Sequence, residues 1–123
     1  MITIHATTRV APDSRDHFVR LAAATIAESR LEDGCVAYTC AEDIVEACTF
    51  RWVEVWRDLE AFNAHAEAAH HVEFLRALGG PDGVRRDGPA EGTYLEASVL
   101  DDEARERLGF SRLSRPNAST VSS

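Results

Sequence analysis

The segment Thr49–Arg57, TFRWVEVWR, constrains the fold more than any other part of the chain. Side chains alternate along a strand, so Phe50, Trp52, Glu54 and Trp56 share one face and Arg51, Val53, Val55 and Arg57 the other. Neither set is uniformly polar, so neither face is expected to be fully solvated. In a domain with a single sheet, helices cover one face, and the other is most economically met by a second copy of the chain. A homodimer is therefore expected, with Arg51, Val53 and Val55 on the dimer side.

The flanking sequence fits around that strand. Met1–Val10 alternates with Ile2, Ile4, Ala6 and Val10 on one parity and reads as a strand. Ala11-Pro12-Asp13-Ser14 ends it, with Asp13 or Ser14 placed to cap a helix that runs to about Arg30 through Phe18, Leu21, Ala22 and Ile26. Gly34 stops that helix. A second strand is expected over Cys35–Ile44, with Val36, Tyr38, Cys40 and Ile44 together. Asp58 caps helical spacing from Leu59 through Phe62 and Ala66. That spacing resumes at Val72, Phe74, Leu75 and Leu78 and breaks at Gly79-Gly80-Pro81. Thr93–Leu100 reads as the last strand. The order β-α-β-β-α-β is the α+β, ferredoxin-like arrangement. It places one domain over residues 1–100 and an extension over 101–123. In the extension, Asp101–Leu113 forms a short helix anchored by Leu108, Phe110 and Leu113, and Ser-rich Ser114–Ser123 is expected to be disordered.

A length of 123 residues suits one such domain. The formal net charge of -8 speaks against nucleic acid, whose phosphates require clustered Lys and Arg. No apolar run approaches the roughly 20 residues that span a bilayer. MITIHATTRV lacks the basic and apolar regions of a signal peptide, so no membrane partner is expected. Cys35, Cys40 and Cys48 include no CxxC pair and point to free thiols in a reducing cytoplasm.

Several residue types carry chemistry. Trp52 and Trp56 are either core or a flat wall for a planar ligand. Glu54, between them, needs a cationic or hydrogen-bonding partner, as a structural pair or as a catalytic acid. His65 and His70 are candidate polar groups of a pocket, since imidazole titrates near neutral pH. On an unbroken helix their five-residue step is about 140° of rotation, so no metal site is expected of the pair. A break near Glu67–Ala69 turns both toward one cavity. Tyr38 from the second strand and Asn63 and Phe74 from the second helix reach the same space, and His71 is expected at the surface.

Gly34-Cys35, the run Glu54-Val55-Trp56-Arg57-Asp58, the two His five residues apart and the Phe18–Ala22 helix resemble the antibiotic biosynthesis monooxygenase family over about residues 1–100. That family consists of small dimeric α+β-barrel proteins, often with Pro before the second His, where this chain has Ala69. The resemblance implies oxidation of a quinol, anthrone or polycyclic phenol by O2 with no cofactor and no metal. The deprotonated substrate supplies the electrons, and the protein supplies an apolar slot and a base. It implies catalytic roles for His65, His70 and Trp56, and substrate contacts from Trp52, Glu54, Tyr38, Asn63 and Phe74. Haem-degrading relatives have Trp in place of His65 and a ligand His in place of Leu75, so haem chemistry is not expected. Anthrone-oxidising relatives have Asn at Trp52 and on the first strand, near Ala6 and Thr7. Two rival roles stand beside it: a small-carbonyl isomerase or detoxifying enzyme, which one branch of the family resembles, and a non-catalytic ligand-binding or pathway-partner subunit.

Overall fold

The computed structural model describes residues 1–109. Strand β1 (Ile2–Arg9) lies between β3 (Thr49–Trp56) and β4 (Glu91–Glu96), and β3 pairs on its other side with β2 (Cys35–Glu42). All three pairings are antiparallel, giving the order β2-β3-β1-β4 of a ferredoxin-like sheet. Helix α1 (Arg15–Ser29) follows β1 after a short turn of 3-10 helix at Pro12–Ser14. The second helix is two helices, α2 (Leu59–Glu67) and α3 (Ala69–Ala77), joined at Ala68. A six-residue α4 (Asp102–Arg107) ends the described chain.

The register explains which side chains meet. Opposite residues across antiparallel strands present the same face, so Thr8–Phe50, Ala6–Trp52 and Ile4–Glu54 stand in rows that Cys40 and Tyr38 extend onto β2. This inner face carries the core. Phe18 of α1 packs on Phe50 with ring centroids 4.5 Å apart and on Trp52 at 6.1 Å, and Phe74 of α3 packs on Trp52 at 5.6 Å. Trp56, Phe18 and Val84 are completely buried. The outward row of His5, Arg51, Val53 and Val55 is exposed or half-buried.

Local chemistry sets the ends of the helices. Asp58, in extended conformation, accepts a 2.8 Å bond from the backbone N–H of Ala61 and so starts α2. At Gly34 the backbone takes φ 82°, and a Cβ there would stand 2.5 Å from that of Ala61. Only glycine lets the turn after α1 approach α2 so closely. That approach brings the neighbouring Glu32 to the helix.

Four expectations change. Neither Asp13 nor Ser14 caps α1 with its side chain; Asp13 pairs with Arg85, and the Ser14 hydroxyl accepts from the Arg85 N–H at 3.1 Å. Strand β2 ends at Glu42, because the Asp43 carboxylate accepts from the backbone N–H groups of Val45 and Glu46, both at 2.8 Å, and folds the chain into a turn. Ile44 is therefore on the exposed hairpin tip and not on the inner face. The last strand is Glu91–Glu96, not Thr93–Leu100, and all its residues are exposed. Leu108 is also exposed, and Phe110, Leu113 and the expected disordered stretch lie outside the described residues. Among the described residues, no helix is long and apolar enough to cross a membrane.

Candidate functional site

A cavity of about 240 Å3 lies between the inner face of the sheet and the broken second helix. Ile4, Ala6, Thr8, Trp52 and Glu54 form its sheet side; Phe62, His65, His71, Phe74 and Leu75 form its helix side, and Tyr94 and Ala90 close the β4 end. The lining is mostly apolar and aromatic, with a few polar atoms, as small-molecule sites are. Among those atoms, the Thr8 hydroxyl already accepts the Trp52 indole N–H at 3.1 Å.

The polar centre is His65, only 1% exposed. Its Nδ1 lies 2.6 Å from Oε2 of Glu32, and its Nε2 lies 3.6 Å from Oε1 of Glu54 with no hydrogen-bond partner. A carboxylate only accepts, so the bond to Glu32 places a proton on Nδ1, and in the neutral ring the lone pair is then on Nε2. Trp56 packs against the ring with centroids 4.5 Å apart at 30°, and Tyr38 at 5.3 Å, so packing fixes its orientation. A charged carboxylate holding one nitrogen of a fixed imidazole prepares the other nitrogen to take a proton.

Glu54 has found the partners its position demands. The Trp56 indole N–H donates to it at 3.1 Å, and His65 stands opposite. Burial pushes its carboxyl above the ordinary range; the Trp56 bond and His65 pull it down, and the charge of Glu32 adds to the rise. Burial also raises the Tyr38 phenol well above its usual value, so Tyr38 is a neutral group here. His71 is pushed down to about 4, first by burial and then by its neighbours His65 and His70, so it is a neutral imidazole at physiological pH. Its Nδ1 is buried without a partner, and its ring lies 4.4 Å from that of His65.

The structure sorts the expected site residues. Trp52, Glu54, Tyr38, Phe74 and His65 line the cavity. Trp56 does not: it is completely buried beneath His65, because its strand position falls under α2 rather than under the open part of the sheet. Asn63 is exposed, on the side of α2 turned away from the cavity. His70 is half-buried outside the cavity lining, where its Nε2 lies 3.2 Å from Glu32 Oε2 and 3.3 Å from the Ser29 hydroxyl. His71, expected at the surface, takes the cavity position instead. The cause is Ala68, at φ -64° and ψ 140°, which interrupts the helix and resets the rotation of everything after it. That same break brings His65 and His70 onto one carboxylate, where a continuous helix would have kept them apart. Glu32 was missed, since it sits in the turn Leu31-Glu32-Asp33-Gly34, distant from both His in sequence. Its only sequence signal is the Gly34 after it, whose need for a left-handed backbone marks a close approach.

Comparison with known proteins places the chain in a family. The family model for antibiotic biosynthesis monooxygenase matches residues 1–77. YcnE of Bacillus subtilis, which carries a provisional monooxygenase description, is 35% identical over 75 residues, covering 61% of this chain and 79% of YcnE. The uncharacterized protein sll1783 of Synechocystis is 34% identical over 74 residues, covering 60% of this chain; the chain spans only 50% of that relative's length. Among solved structures, a Deinococcus radiodurans protein provisionally assigned to the same family superposes with a TM-score of 0.73 at 25% identity, over 82% of this chain and 96% of its own. PA3566 of Pseudomonas aeruginosa does so with a TM-score of 0.67 at 28% identity, over 80% of this chain and 94% of its own. The chain belongs to the antibiotic biosynthesis monooxygenase family.

Proposed function

We propose that this protein is a cofactor-independent monooxygenase for a small hydroquinone or phenol, with His65 as the base that ionises it. The observation that carries the reading is the buried, unbonded Nε2 of His65 at the wall of an apolar cavity, with Nδ1 anchored on Glu32. The reaction needs no outside reductant. His65 takes a phenolic proton, and the electron-rich ring supplies all four electrons that reduce O2. One oxygen atom enters the ring at a C–H carbon, and the other leaves as water with two substrate hydrogens, turning a hydroquinone into a hydroxyquinone. Glu54 and His71 offer further hydrogen-bonding groups to the substrate hydroxyls, and Trp52 and Phe74 offer faces for the ring.

A volume of about 240 Å3 is below the range of roughly 300–1,000 Å3 that drug-sized ligands occupy, which favours one or two rings over an extended polycycle. The family's provisional monooxygenase relatives support the reaction class.

The test is oxygen uptake by metal-stripped protein with a panel of hydroquinones, naphthols and anthrones. His65→Ala is expected to lower kcat about 10²–10⁴-fold on the best of them, the usual contribution of a general base. Uptake that survives His65→Ala unchanged eliminates His65 as the base. Substrate conversion under argon would instead identify the carbonyl isomerase, whose proton transfers need no O2.

A further inference from the structure

Behind the base, the carboxylate that anchors His65 also meets a second imidazole, His70, which the monooxygenase reading does not use. Glu32, His65 and His70 each offer one ligand atom, and these atoms all lie within 4.8 Å of one another, two imidazoles and a carboxylate from three separate elements. We propose that these three residues form a binding site for a divalent cation of the zinc type, and that the bound cation silences His65 as a base.

Four features favour a cation over hydrogen bonding alone. The donor set of two His and one carboxylate is a common one for Zn2+, which takes N and O ligands at about 2.0–2.2 Å and leaves a fourth position to water. His65 is locked by Trp56 and Tyr38, so one ligand is already oriented, while Glu32 sits on a turn and can withdraw to make room. Glu32 and His70 keep 19% and 20% of their side-chain surface exposed, which gives an ion a way in.

The strongest feature is on the other side of the ring. A histidine that binds metal through one nitrogen generally donates its second N–H to a carboxylate, which fixes the tautomer. Glu54 Oε1 already stands 3.6 Å from His65 Nε2, which has no partner otherwise. When the cation takes Nδ1, the single ring proton moves to Nε2 and gains Glu54 as acceptor. The orphaned nitrogen then carries a proton with Glu54 as the facing acceptor, and its lone pair is gone.

Glu32 and His70 do not line the cavity, so the cation acts on the cavity only through His65. Binding stands independently of the monooxygenase reading; the silencing rests on that reading.

Zn2+ titrated into metal-stripped, full-length protein, followed calorimetrically, and Co2+ followed by its visible absorption, test the site. One ion per chain is expected, with affinity lowered at least tenfold in both Glu32→Gln and His70→Ala and retained in His5→Ala on the opposite face of the sheet. The circular dichroism of each variant identifies any that fails to fold, and the other then decides. No stoichiometric ion in the wild-type protein, or equal affinity in a folded variant, overturns the site. On a substrate that is turned over, oxygen uptake should fall in step with Zn2+ occupancy and return with chelator. Full uptake by zinc-loaded protein overturns the silencing. Absence of turnover with any substrate would reject the monooxygenase reading, while the binding titration still decides the site.

Discussion

The two faces of the sheet are built from the same strands and have opposite fates. On β3, Phe50, Trp52, Glu54 and Trp56 are all buried, whereas Arg51 between them is exposed and Val53 and Val55 are half-buried. The inner face is covered by its own helices and encloses the cavity. The outer face carries valines at the centre of the sheet with no comparable cover among the described residues. A face that needed only water would carry polar residues at both positions. The difference teaches that the inner face is finished within one chain, and it supports the proposal that the outer face is finished by a second copy. The homodimer remains a proposal, and its support is that asymmetry.

The largest test of the contrast compares adjacent residues. Trp56→Ala removes a completely buried indole and the support of His65, and is expected to cost about 3–5 kcal/mol in urea unfolding. Val55→Ala, one residue away on the outer face, should cost under about 1.5 kcal/mol at concentrations where the chain is monomeric. Equal costs would mean that the faces do not differ in the way their burial indicates.

A smaller effect is expected on the outer face, at the proposed contact with a second copy. Val53→Asp places a charge at the centre of the half-buried row and should drive the protein to its 13.5 kDa monomer in sedimentation, with the circular dichroism unchanged. A wild-type protein that already sediments as a monomer at micromolar concentration would show that the outer face is simply solvated.

The same contrast explains what could be read from the sequence. Strand alternation is local, so Thr49–Trp56 and its buried side were legible, and so was the element order. Cavity membership is not local. It depended on one backbone dihedral at Ala68, which exchanged His70 for His71 at the cavity wall, and on a turn that brought Glu32 across to His65. Asn63 and Trp56 were misplaced for a related reason: residue type and helical spacing say which residues face the sheet, not where along it the space is left open. Ile44 failed differently, because the side chain of Asp43 competes with the strand for backbone N–H groups.

The smallest effect concerns that joint, which holds the inner face in its observed arrangement. Ala69 is the first residue of α3, a position where proline is favoured because its missing N–H has no helical partner. The residue before a proline is restricted to extended conformations, and Ala68 already has φ -64° and ψ 140°. Ala69→Pro should therefore fit the folded chain without strain and narrow the unfolded ensemble, raising stability by about 0.4–1 kcal/mol. Because the substitution fixes the break instead of touching the cavity, kcat on any accepted substrate should be unchanged. A loss of stability would mean that α2 and α3 run on as one helix in solution. In that case His65 and His70 would no longer meet at Glu32, and both the anchored base and the cation site would fall together.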